Sequence, residues 1–355
     1  MTVYISILYK WFMDEIWAIP GRVIALIFVL LLLALPLISA EPYVMRIVIL
    51  ASIYSIFTAS WDLLAGFTGQ VSLGHALFFA AGGYMTAALN LAGLPPILTI
   101  PGGAVFAGLV GALIAFPVRR LRGFYLSLVT LTFPIIVVGL ILAFPDITGG
   151  EVGLYGLGRL SSSRLNDYYI VVIIMLACVF AMYKFTDTDS KFIRVGVILF
   201  AIREDEISAR MSGINTIKYK MISYAICGLF AGIAGGLYAH FIRVVGVSIL
   251  DLFFSFQVIL WAVFGGLATI YGAVVGVFLL YPLVEVLRLY PQIGEFRMVA
   301  FALILIITLL FMPEGLSTWV RDRIEVECPR CKLINMKRRR SCRACDAALH
   351  LEREN

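Results

Sequence analysis

The chain is divided into apolar segments of about the length that crosses a lipid bilayer as a helix. A hydrocarbon core about 30 Å thick needs roughly 20 apolar residues, and these segments are continuously apolar, whereas barrel strands alternate in polarity. Since 61% of the residues are hydrophobic and 14% charged, the sequence predicts an all-α polytopic membrane protein with about ten transmembrane helices (eight to ten). The predicted spans are 22–40, 43–64, 73–93, 98–118, 123–144, 168–185, 217–240, 252–270, 272–289 and 297–313.

Two features of these spans bear on the helix count. The apolar run from Val23 to Leu37 is long for a signal-peptide core, and Asp14 and Glu15 precede it, which is atypical of a basic leader. We therefore expect an uncleaved first helix after an N-terminal cytoplasmic segment, residues 1–21. The two spans after residue 252 lie so close together that they could instead form one long bent helix, which would reduce the count to nine.

Lys and Arg gather in three clusters, which set the predicted orientation. The clusters lie between the fourth and fifth spans, between the sixth and seventh spans, and in the C-terminal tail. Ten helices place all three on one side, which the positive-inside rule makes cytoplasmic. We predict a multi-pass protein of the cell (cytoplasmic) membrane with both termini in the cytoplasm and residues 146–166 outside. The net charge of +6 thus reflects topology and membrane lipid, and no nucleic acid is expected as a partner.

Five predicted spans precede the middle of the chain and five follow it. An odd number per half would invert the second half, so an inverted repeat of two halves is possible. Glycine-rich stretches recur at 81–83 and 231–236. Small residues let helices approach closely in lipid, and this interpretation is favoured over a direct role in a substrate path.

The longest internal polar segment contains a predicted amphipathic helix, residues 201–215. Ile202, Ile207 and Met211 would form its apolar face, and Gly213 is a stop signal with permissive dihedral angles. A short helix of this kind either anchors at the membrane surface or is held out for a cytoplasmic partner. The residues alone leave both possibilities open.

Three separated blocks of sequence carry a family pattern. The first, residues 60–89, contains GQVSLGH; the second, residues 147–157, reads ITGGEVGLYGL; the third, residues 201–240, begins AIREDEISARMSGIN. In this order and spacing, over about residues 45 to 315, they resemble the branched-chain amino acid ABC transporter permeases, specifically the longer of their two membrane subunits.

The resemblance implies a type II importer-like permease subunit for branched-chain or related amino acids, with urea, amides or other amino acids as alternative substrates. It also implies ATP-binding subunits, a second permease subunit in a heterodimer and an extracellular substrate-binding protein as partners. The sequence has no phosphate-binding loop of the form GxxxxGK[ST]. We therefore expect a transport subunit that is not an enzyme and uses ATP only through its partner.

The resemblance further implies that residues 201–215 contain the coupling helix, which docks on the ATP-binding subunit. Family members often have Ala-Ala before the glycine that ends this helix, whereas this chain has Ser208-Ala209-Arg210. That departure leaves open which face touches the partner. The predicted coupling residues are Arg203, Glu204, Glu206, Ala209 and Gly213. The resemblance also marks the extracellular loop residues Thr148, Gly149 and Gly150.

Two other classes of function compete with this assignment. A proton- or sodium-coupled secondary transporter would carry ionisable residues deep in its spans, and few occur beyond Asp62 and Glu285. A zinc-dependent membrane enzyme or sensor would need an open metal site. Neither class is favoured by the sequence.

A polar break, residues 66–75, separates the second and third spans. Irregular backbone at this depth is tolerated only where protein or a cavity surrounds it, so Gln70, Ser72, Gly74 and His75 are candidates for the translocation path or its gate. The structural alternative is a helix cap in which Ser72 accepts from a backbone N–H near His75. The adjacent Asp62 is expected to pair with a basic loop residue.

Glu285 completes the candidate path, because carboxylates within a membrane often face cavities. The alternative is a helix-end pair with Arg288, three residues later.

The composition changes at residues 313–315, which divides a permease domain (22–315) from a cytoplasmic tail (316–355). Within the tail, Cys328, Cys331, Cys342 and Cys345 have the spacing C-x2-C-x10-C-x2-C. Two CxxC knuckles predict a closed structural Zn²⁺ site in a small zinc ribbon, 328–345, in preference to unbound or redox-active cysteines. A basic run, 337–340, lies beside it and predicts a solvated turn or contact with anionic headgroups. The tail is not part of the family pattern.

Overall fold

The computed structural model describes residues 20–39, 41–187, 195–289 and 297–331, together with 334–337, 341, 342, 345 and 347–349. It divides the chain into two compact units. The larger unit is formed by residues 41–315, and the smaller by residues 1–40 and 316–355. The predicted basic run, apart from Lys337, lies outside the described residues.

Helices make up nearly all of the larger unit. In chain order the helices of the chain are α1 (Pro20–Ile38), α2 (Pro42–Thr68), α3 (Ala76–Leu91), α4 (Pro96–Val118), α5 (Gly123–Ala143), α6 (Pro145–Thr148), α7 (Arg164–Thr186), α8 (Val195–Glu204), α9 (Glu206–Met211), α10 (Thr216–Ile242), α11 (Leu252–Gly265), α12 (Ile270–Arg288), α13 (Arg297–Phe311) and α14 (Leu316–Ile324). Strands β1 (Leu154–Tyr155) and β2 (Val244–Val245) pair antiparallel, and a 3-10 helix covers Val247–Leu250.

In the described part of the chain, six helices (α2, α4, α5, α7, α10 and α12) are long and apolar enough to cross a membrane. Residues 23–38 of α1, α3 and α11 form shorter apolar helices. Each of the ten predicted spans overlaps a helix of the described residues, but only six of these helices are long and apolar enough to cross, so the count of about ten crossings stays a prediction. The close pair after residue 252 is two helices, because Gly266 (φ 119°) and Ala268 (φ 58°) interrupt the backbone between α11 and α12.

Helix α2 is the core of the larger unit. From Ile47 to Gly66 every residue is buried except Tyr54, which is partly exposed. Polar residues are tolerated here because Ser52 and Ser55 each donate to the carbonyl four residues earlier at 2.8 Å, so the hydroxyls are satisfied within the helix. α2 packs against α7, α10, α11 and α12.

The two glycine-rich stretches pack against each other, which confirms the interpretation as a close helix contact. A Cβ at Gly82 in α3 would overlap the backbone of Gly232 in α10, and one at Gly235 would overlap the carbonyl oxygen of Phe79. One turn before Gly232 on the same face of α10, a Cβ at Gly228 would lie 2.6 Å from the carbonyl oxygen of Ala107 in α4. Helices α3, α10 and α4 therefore form one tightly packed block.

The smaller unit combines α1 with the C-terminal residues. The N–H of Gly21, at the start of α1, donates to the Glu325 carboxylate at 2.9 Å. After α14, strands β3 (Glu325–Glu327) and β4 (Ile334–Met336) pair antiparallel, with Glu325 opposite Met336. This hairpin leads into the cysteine-rich end of the chain.

Replacing Gly235 with Val should destabilise the larger unit, because the new side chain has no room against the backbone of α3. Overpacking of a tight interior costs about 1–3 kcal/mol, and we expect a lower melting temperature of the detergent-solubilised protein, measured by tryptophan fluorescence. Gly139→Val in α5 is the matched control, since no described atom lies within 4 Å of its Cβ position. Equal melting temperatures for both variants would contradict the proposed packing.

Candidate functional site

The polar break between α2 and α3 is an irregular segment, residues 69–75, within a bundle of apolar helices. Gly69 ends α2 with φ of 70°, a conformation that glycine adopts at little cost, and its N–H donates to the carbonyl of Ala65 at 3.1 Å. The indole N–H of Trp61 donates to the carbonyl of Ser72 at 2.8 Å. The break is thus tied back onto α2.

Helix α5 holds the other side of this break. The Ser127 hydroxyl donates to the carbonyl of Val71 at 2.8 Å, and the N–H of Leu73 donates to the Thr130 hydroxyl at 3.1 Å. A Cβ at Gly74 would overlap the carbonyl oxygen of Thr130, so glycine permits this close approach. The contacts supply the hydrogen bonds that irregular backbone needs away from water.

His75 and Gln70 are buried but differ in their partners. His75 Nε2 lies 2.9 Å from Ser60 Oγ, and the His75 ring stacks on Phe57 at 5.2 Å. Because the Ser60 hydroxyl donates to the carbonyl of Phe57, we assign the proton to His75 Nε2. The side-chain amide of Gln70 has no hydrogen-bond partner among the described residues.

Ser72 does not cap α3, contrary to the structural alternative predicted for it. His75 occupies the N-cap position, and its side chain makes no capping hydrogen bond. The first helical N–H, from Ala76, donates instead to the Ser255 hydroxyl of α11 at 3.3 Å. The start of α3 therefore meets the first turn of α11.

Asp62 hydrogen-bonds to backbone, while the basic loop residue Arg203 lies within electrostatic range of its carboxylate but forms no ion pair with it in the part of the chain that the structure describes. Its Oδ1 accepts from the N–H of Ala268 at 2.8 Å, and Gly66, one turn later, packs on the same backbone. Ala268 lies in the interruption between α11 and α12. Asp62 therefore joins α2 to a second irregular segment, residues 266–269.

Glu285 lies far from the polar break, so the structure does not bring all the predicted path residues together. Its carboxylate lies 3.8 Å from the guanidinium of Arg288, and its carbonyl accepts from the Tyr43 hydroxyl at 3.3 Å. Tyr43 is at the start of α2, and Ser60, which contacts the break, is 17 residues later. At 1.5 Å per residue this separates the two regions by roughly 25 Å.

The predicted loop residues Thr148, Gly149 and Gly150 form a compact turn. The Thr148 hydroxyl donates toward the carbonyls of residues 141 and 144 at 2.7 and 2.8 Å, and both glycines have positive φ. The following chain is docked on α10, where His240 Nδ1 donates to the carbonyl of Gly158 at 2.8 Å. These contacts give the three residues a structural role in shaping the loop.

The predicted coupling helix is two helices, α8 and α9, separated at Asp205. The Asp205 carboxylate accepts from the N–H of Ile207 at 2.8 Å and the Ser208 hydroxyl at 2.6 Å, and these hydrogen bonds lower its pKa. Gly213 (φ 84°) ends α9 as predicted, with the N–H of Ile214 donating to the carbonyl of Ala209. This is the 6→1 bond of a Schellman motif. Both ends of α9 are therefore capped.

The predicted apolar face is split between two directions. Ile202 is buried, whereas Ile207 and Met211 are 56% and 83% exposed. Ala209, predicted to contact the partner, is buried against its own chain. The helix break at residue 205 explains the difference, because it rotates α9 relative to α8.

Glu206, the first residue of α9, is the centre of a charged cluster on the side of α9 that faces α10 and α5. Its carboxylate lies 2.7 Å from Lys220 Nζ, 2.9 Å from Arg122 Nε and 3.1 Å from Arg210 Nη2, and it accepts from Thr216 at 3.2 Å. Burial alone would raise the pKa of this carboxyl, but the hydrogen bond and charge of Lys220 and the charge of Arg122 hold it below its ordinary value. The cluster joins α9 to α10 and to the start of α5.

The end of α8 reaches the polar break. A Cβ at Gly69 would lie 3.6 Å from Arg203 Cγ and 3.8 Å from its Cα, so Arg203 packs on the residue that ends α2. Glu204 is exposed beside it. The loop of α8 and α9 is thus in contact with the segment that contains Gln70 and His75.

The four tail cysteines come together as their spacing predicts. Their sulfur atoms all lie within 4.8 Å of one another, with Cys328–Cys345 and Cys331–Cys342 at 3.5 Å. Tetrahedral Zn²⁺ with bonds of about 2.3 Å requires sulfurs about 3.8 Å apart, and four soft thiolates suit this ion. The residues fit a metal site.

Sequence reasoning missed the roles of Arg122 and Lys220. Both were interpreted as topology charges at helix ends. A usable signal existed for Lys220, because it falls within the span that follows the loop and needed a buried partner. No local signal related Arg122 to a carboxylate 84 positions later.

Apolar helices of spanning length, two irregular segments inside the bundle and a braced polar loop define a polytopic membrane transport subunit. The model of the family described as "branched-chain amino acid transport system / permease component" matches residues 43–309. The chain belongs to this family and is an integral protein of the cell membrane with a permease role.

Curated relatives agree with this assignment. The chain is 27% identical over 307 residues (78% of this chain, 71% of the relative) to the high-affinity branched-chain amino acid transport system permease protein LivM of Escherichia coli K12. It is 24% identical over 305 residues to LivH of the same strain (79% and 94%). It is 25% identical over 260 residues to the ribose import permease protein RbsC of Haemophilus influenzae (70% and 77%). No solved structure gives a significant match.

Glu206→Gln should destabilise the loop by on the order of 3 kcal/mol, because it leaves the buried Lys220 ammonium without its counter-charge. The folded pKa of Glu206 is depressed, so its contribution is present above the ordinary carboxyl pKa and is lost only as pH falls through the lower folded value. The stability that Glu206→Gln loses relative to the wild-type protein should therefore be the same at every pH from about 6 to 8. Thermal unfolding and limited proteolysis measure this loss.

Arg210→Gln is the control, since Arg210 is 55% exposed and such pairs contribute under about 1 kcal/mol. Equal losses in the two variants would contradict a buried Glu206–Lys220 pair as the main brace.

Proposed function

We propose that this chain forms the translocation path of an ATP-driven importer of branched-chain amino acids. It would work with ATP-binding subunits, a second permease subunit and an extracellular binding protein, while hydrolysing no ATP itself. The family description and the names of LivM and LivH support the substrate and the kind of assembly. The observation that carries ATP coupling is α9, a short capped helix braced from behind and apolar on its free face.

The free face of α9 suits a protein partner better than lipid. Ile207 and Met211 are four residues apart and share one side of the helix. Two apolar side chains bury too little for an interfacial anchor, which needs a broad apolar face, but they suit the centre of a docking site with Arg210 at its rim. Because Glu206 fixes the opposite side, a force applied to α9 reaches α10 and α5.

The polar break is proposed as the gate that this loop controls. Arg203 packs on Gly69 at one end of the break, while α5, which begins after Arg122, holds Val71 and Leu73. A displacement of the loop would act on both ends of the segment that contains Gln70, Ser72, Gly74 and His75. The unsatisfied Gln70 amide is suited to exchanging hydrogen bonds during opening.

We also propose ten crossings with both termini cytoplasmic, and an inverted repeat of α1–α5 and the group α7, α10, α11, α12 and α13. The second members of the two halves, α2 and α10, both have 27 residues, and the third members, α3 and α11, are short, with 16 and 14 residues. Short helices in corresponding positions are a known sign of such repeats. The contact between Ala76 and Ser255 joins their N-terminal ends.

The tail is proposed to fold around one structural Zn²⁺ held by its four cysteines. Cys328 and Cys342 are buried with Leu349, a core too small to order the segment without a staple. Four thiolates saturate the ion, which leaves no open position for catalysis.

Met211→Glu should prevent association with a co-expressed ATP-binding subunit, because it places a charge in the apolar docking face without disturbing any packed residue. Co-purification from detergent measures the association. Met211→Leu should retain it, and Ala92→Glu, an equal charge in the loop between α3 and α4, should have no effect. Full association of Met211→Glu would overturn α9 as the docking helix.

Cys328→Ser and Cys342→Ser should each abolish binding of one zinc ion per chain, because a site with three thiolates loses its closed geometry. Elemental analysis of the purified protein measures this. Cys178→Ser, at a free buried cysteine in α7, should keep the metal. Unchanged zinc in both tail variants would remove the proposal.

A further inference from the structure

Tyr54 is an exception within the central helix. It is the one residue of α2 between Ile47 and Gly66 that is not buried, although four helices surround α2. Tyr238 of α10, Phe254 of α11 and Tyr281 of α12 are also partly exposed. The described residues therefore leave part of each of these four rings uncovered.

The aromatic rings around Tyr54 form one continuous surface. The ring centroid of Tyr54 lies 5.1 Å from that of Tyr281, 5.4 Å from Trp261, 5.7 Å from Phe254 and 6.4 Å from Tyr238. Their faces are apolar, whereas the tyrosine hydroxyls add polar points at the edge. Such a lining suits a small molecule that is apolar at one end and polar at the other.

Charges of both signs lie at the outer end of this surface. Arg46 and Glu285 are both within electrostatic range of the hydroxyls of Tyr54 and Tyr281. Arg46 is eight residues before Tyr54, a rise of about 12 Å, and the Tyr54 side chain leans toward the N-terminal end of α2, on which Arg46 lies. Glu285 lies one turn after Tyr281 on α12, so its carboxylate faces the same region.

We propose that Arg46, Glu285 and the aromatic surface of Tyr54, Tyr238 and Tyr281 form a binding site for an amino-acid zwitterion. Arg46 receives the carboxylate, Glu285 receives the ammonium group, and the aliphatic side chain lies on the rings. The inference rests on the proposed import function and adds a substrate site within the permease itself.

The site also leads toward the polar break. Phe254, in the first turn of the short helix α11, stacks on Phe57 at 5.3 Å, and Phe57 stacks on His75 at 5.2 Å. A substrate released from the charged end would meet this row of rings before the break. Binding sites of transporters with repeats lie beside such short helices, so this location agrees with the repeat proposed above.

Binding of radiolabelled leucine to the purified transporter, assembled with its ATP-binding and second permease subunits but without the binding protein, tests the site. Competition with leucinamide, which lacks the carboxylate, and 4-methylpentanoate, which lacks the ammonium group, separates the two charges. Glu285→Gln should weaken leucine binding about tenfold, the loss typical of one charged hydrogen bond, and leave 4-methylpentanoate unchanged. Arg46→Gln should weaken leucine similarly and leave leucinamide unchanged.

Arg288→Gln is the control. Arg288 is exposed and lies beside Glu285, but in the proposed site it does not contact the ligand. It should change leucine binding by less than about threefold. Unchanged leucine binding in Glu285→Gln and Arg46→Gln, or an equal loss for all three ligands, would overturn the site.

ATP-driven uptake of leucine by the wild-type transporter in proteoliposomes tests the import function separately from the substrate site. If the wild-type transporter takes up leucine but Glu285→Gln and Arg46→Gln bind leucine unchanged, the binding site is wrong and the import function stands. No uptake with all subunits present would remove the amino-acid import function itself.

Discussion

In a hydrocarbon environment each backbone N–H and C=O must find its partner within the protein, because an unsatisfied group costs several kcal/mol. This constraint governs the two irregular segments of the permease. The break after α2 is satisfied by Trp61, Ser127 and Thr130, and the interruption before α12 by Asp62. A change of conformation at these segments would exchange hydrogen bonds with α2 and α5, so both helices are linked to the irregular segments.

Glycine contacts produce the opposite property in the neighbouring helices. Glycines at 82, 228, 232 and 235 bring the backbones of α3, α10 and α4 into close contact, so this block is tightly packed. A rigid block beside satisfied but irregular segments concentrates conformational change in the latter. Because α10 begins next to Glu206, the same block is attached directly to the coupling loop.

The loop of α8 and α9 meets these parts through the Glu206 carboxylate and through Arg203, which packs on Gly69. Glu206 pairs with Lys220 on α10 and with Arg122 at the start of α5, so α9 cannot move without both helices. Its outer face remains free for a partner because the ion pairs occupy only the inner face. Charge therefore braces the inner face of the helix, and Ile207 and Met211 leave the outer face apolar and exposed.

Local patterns were enough to predict much of this protein. Segment length and polarity determined the helices, the positive φ that glycine permits determined the end of α9 at Gly213, and the spacing of two CxxC knuckles determined the cysteine cluster. Each depends on residues close in sequence. Tertiary structure alone decided that Asp62 binds the Ala268 N–H, 206 positions away, that Ile202 turns inward while Ile207 turns outward, and that Glu206 meets Arg122. The physical reason is that such contacts are set by how whole helices pack, and a long-range partner leaves no periodic trace in the sequence around it.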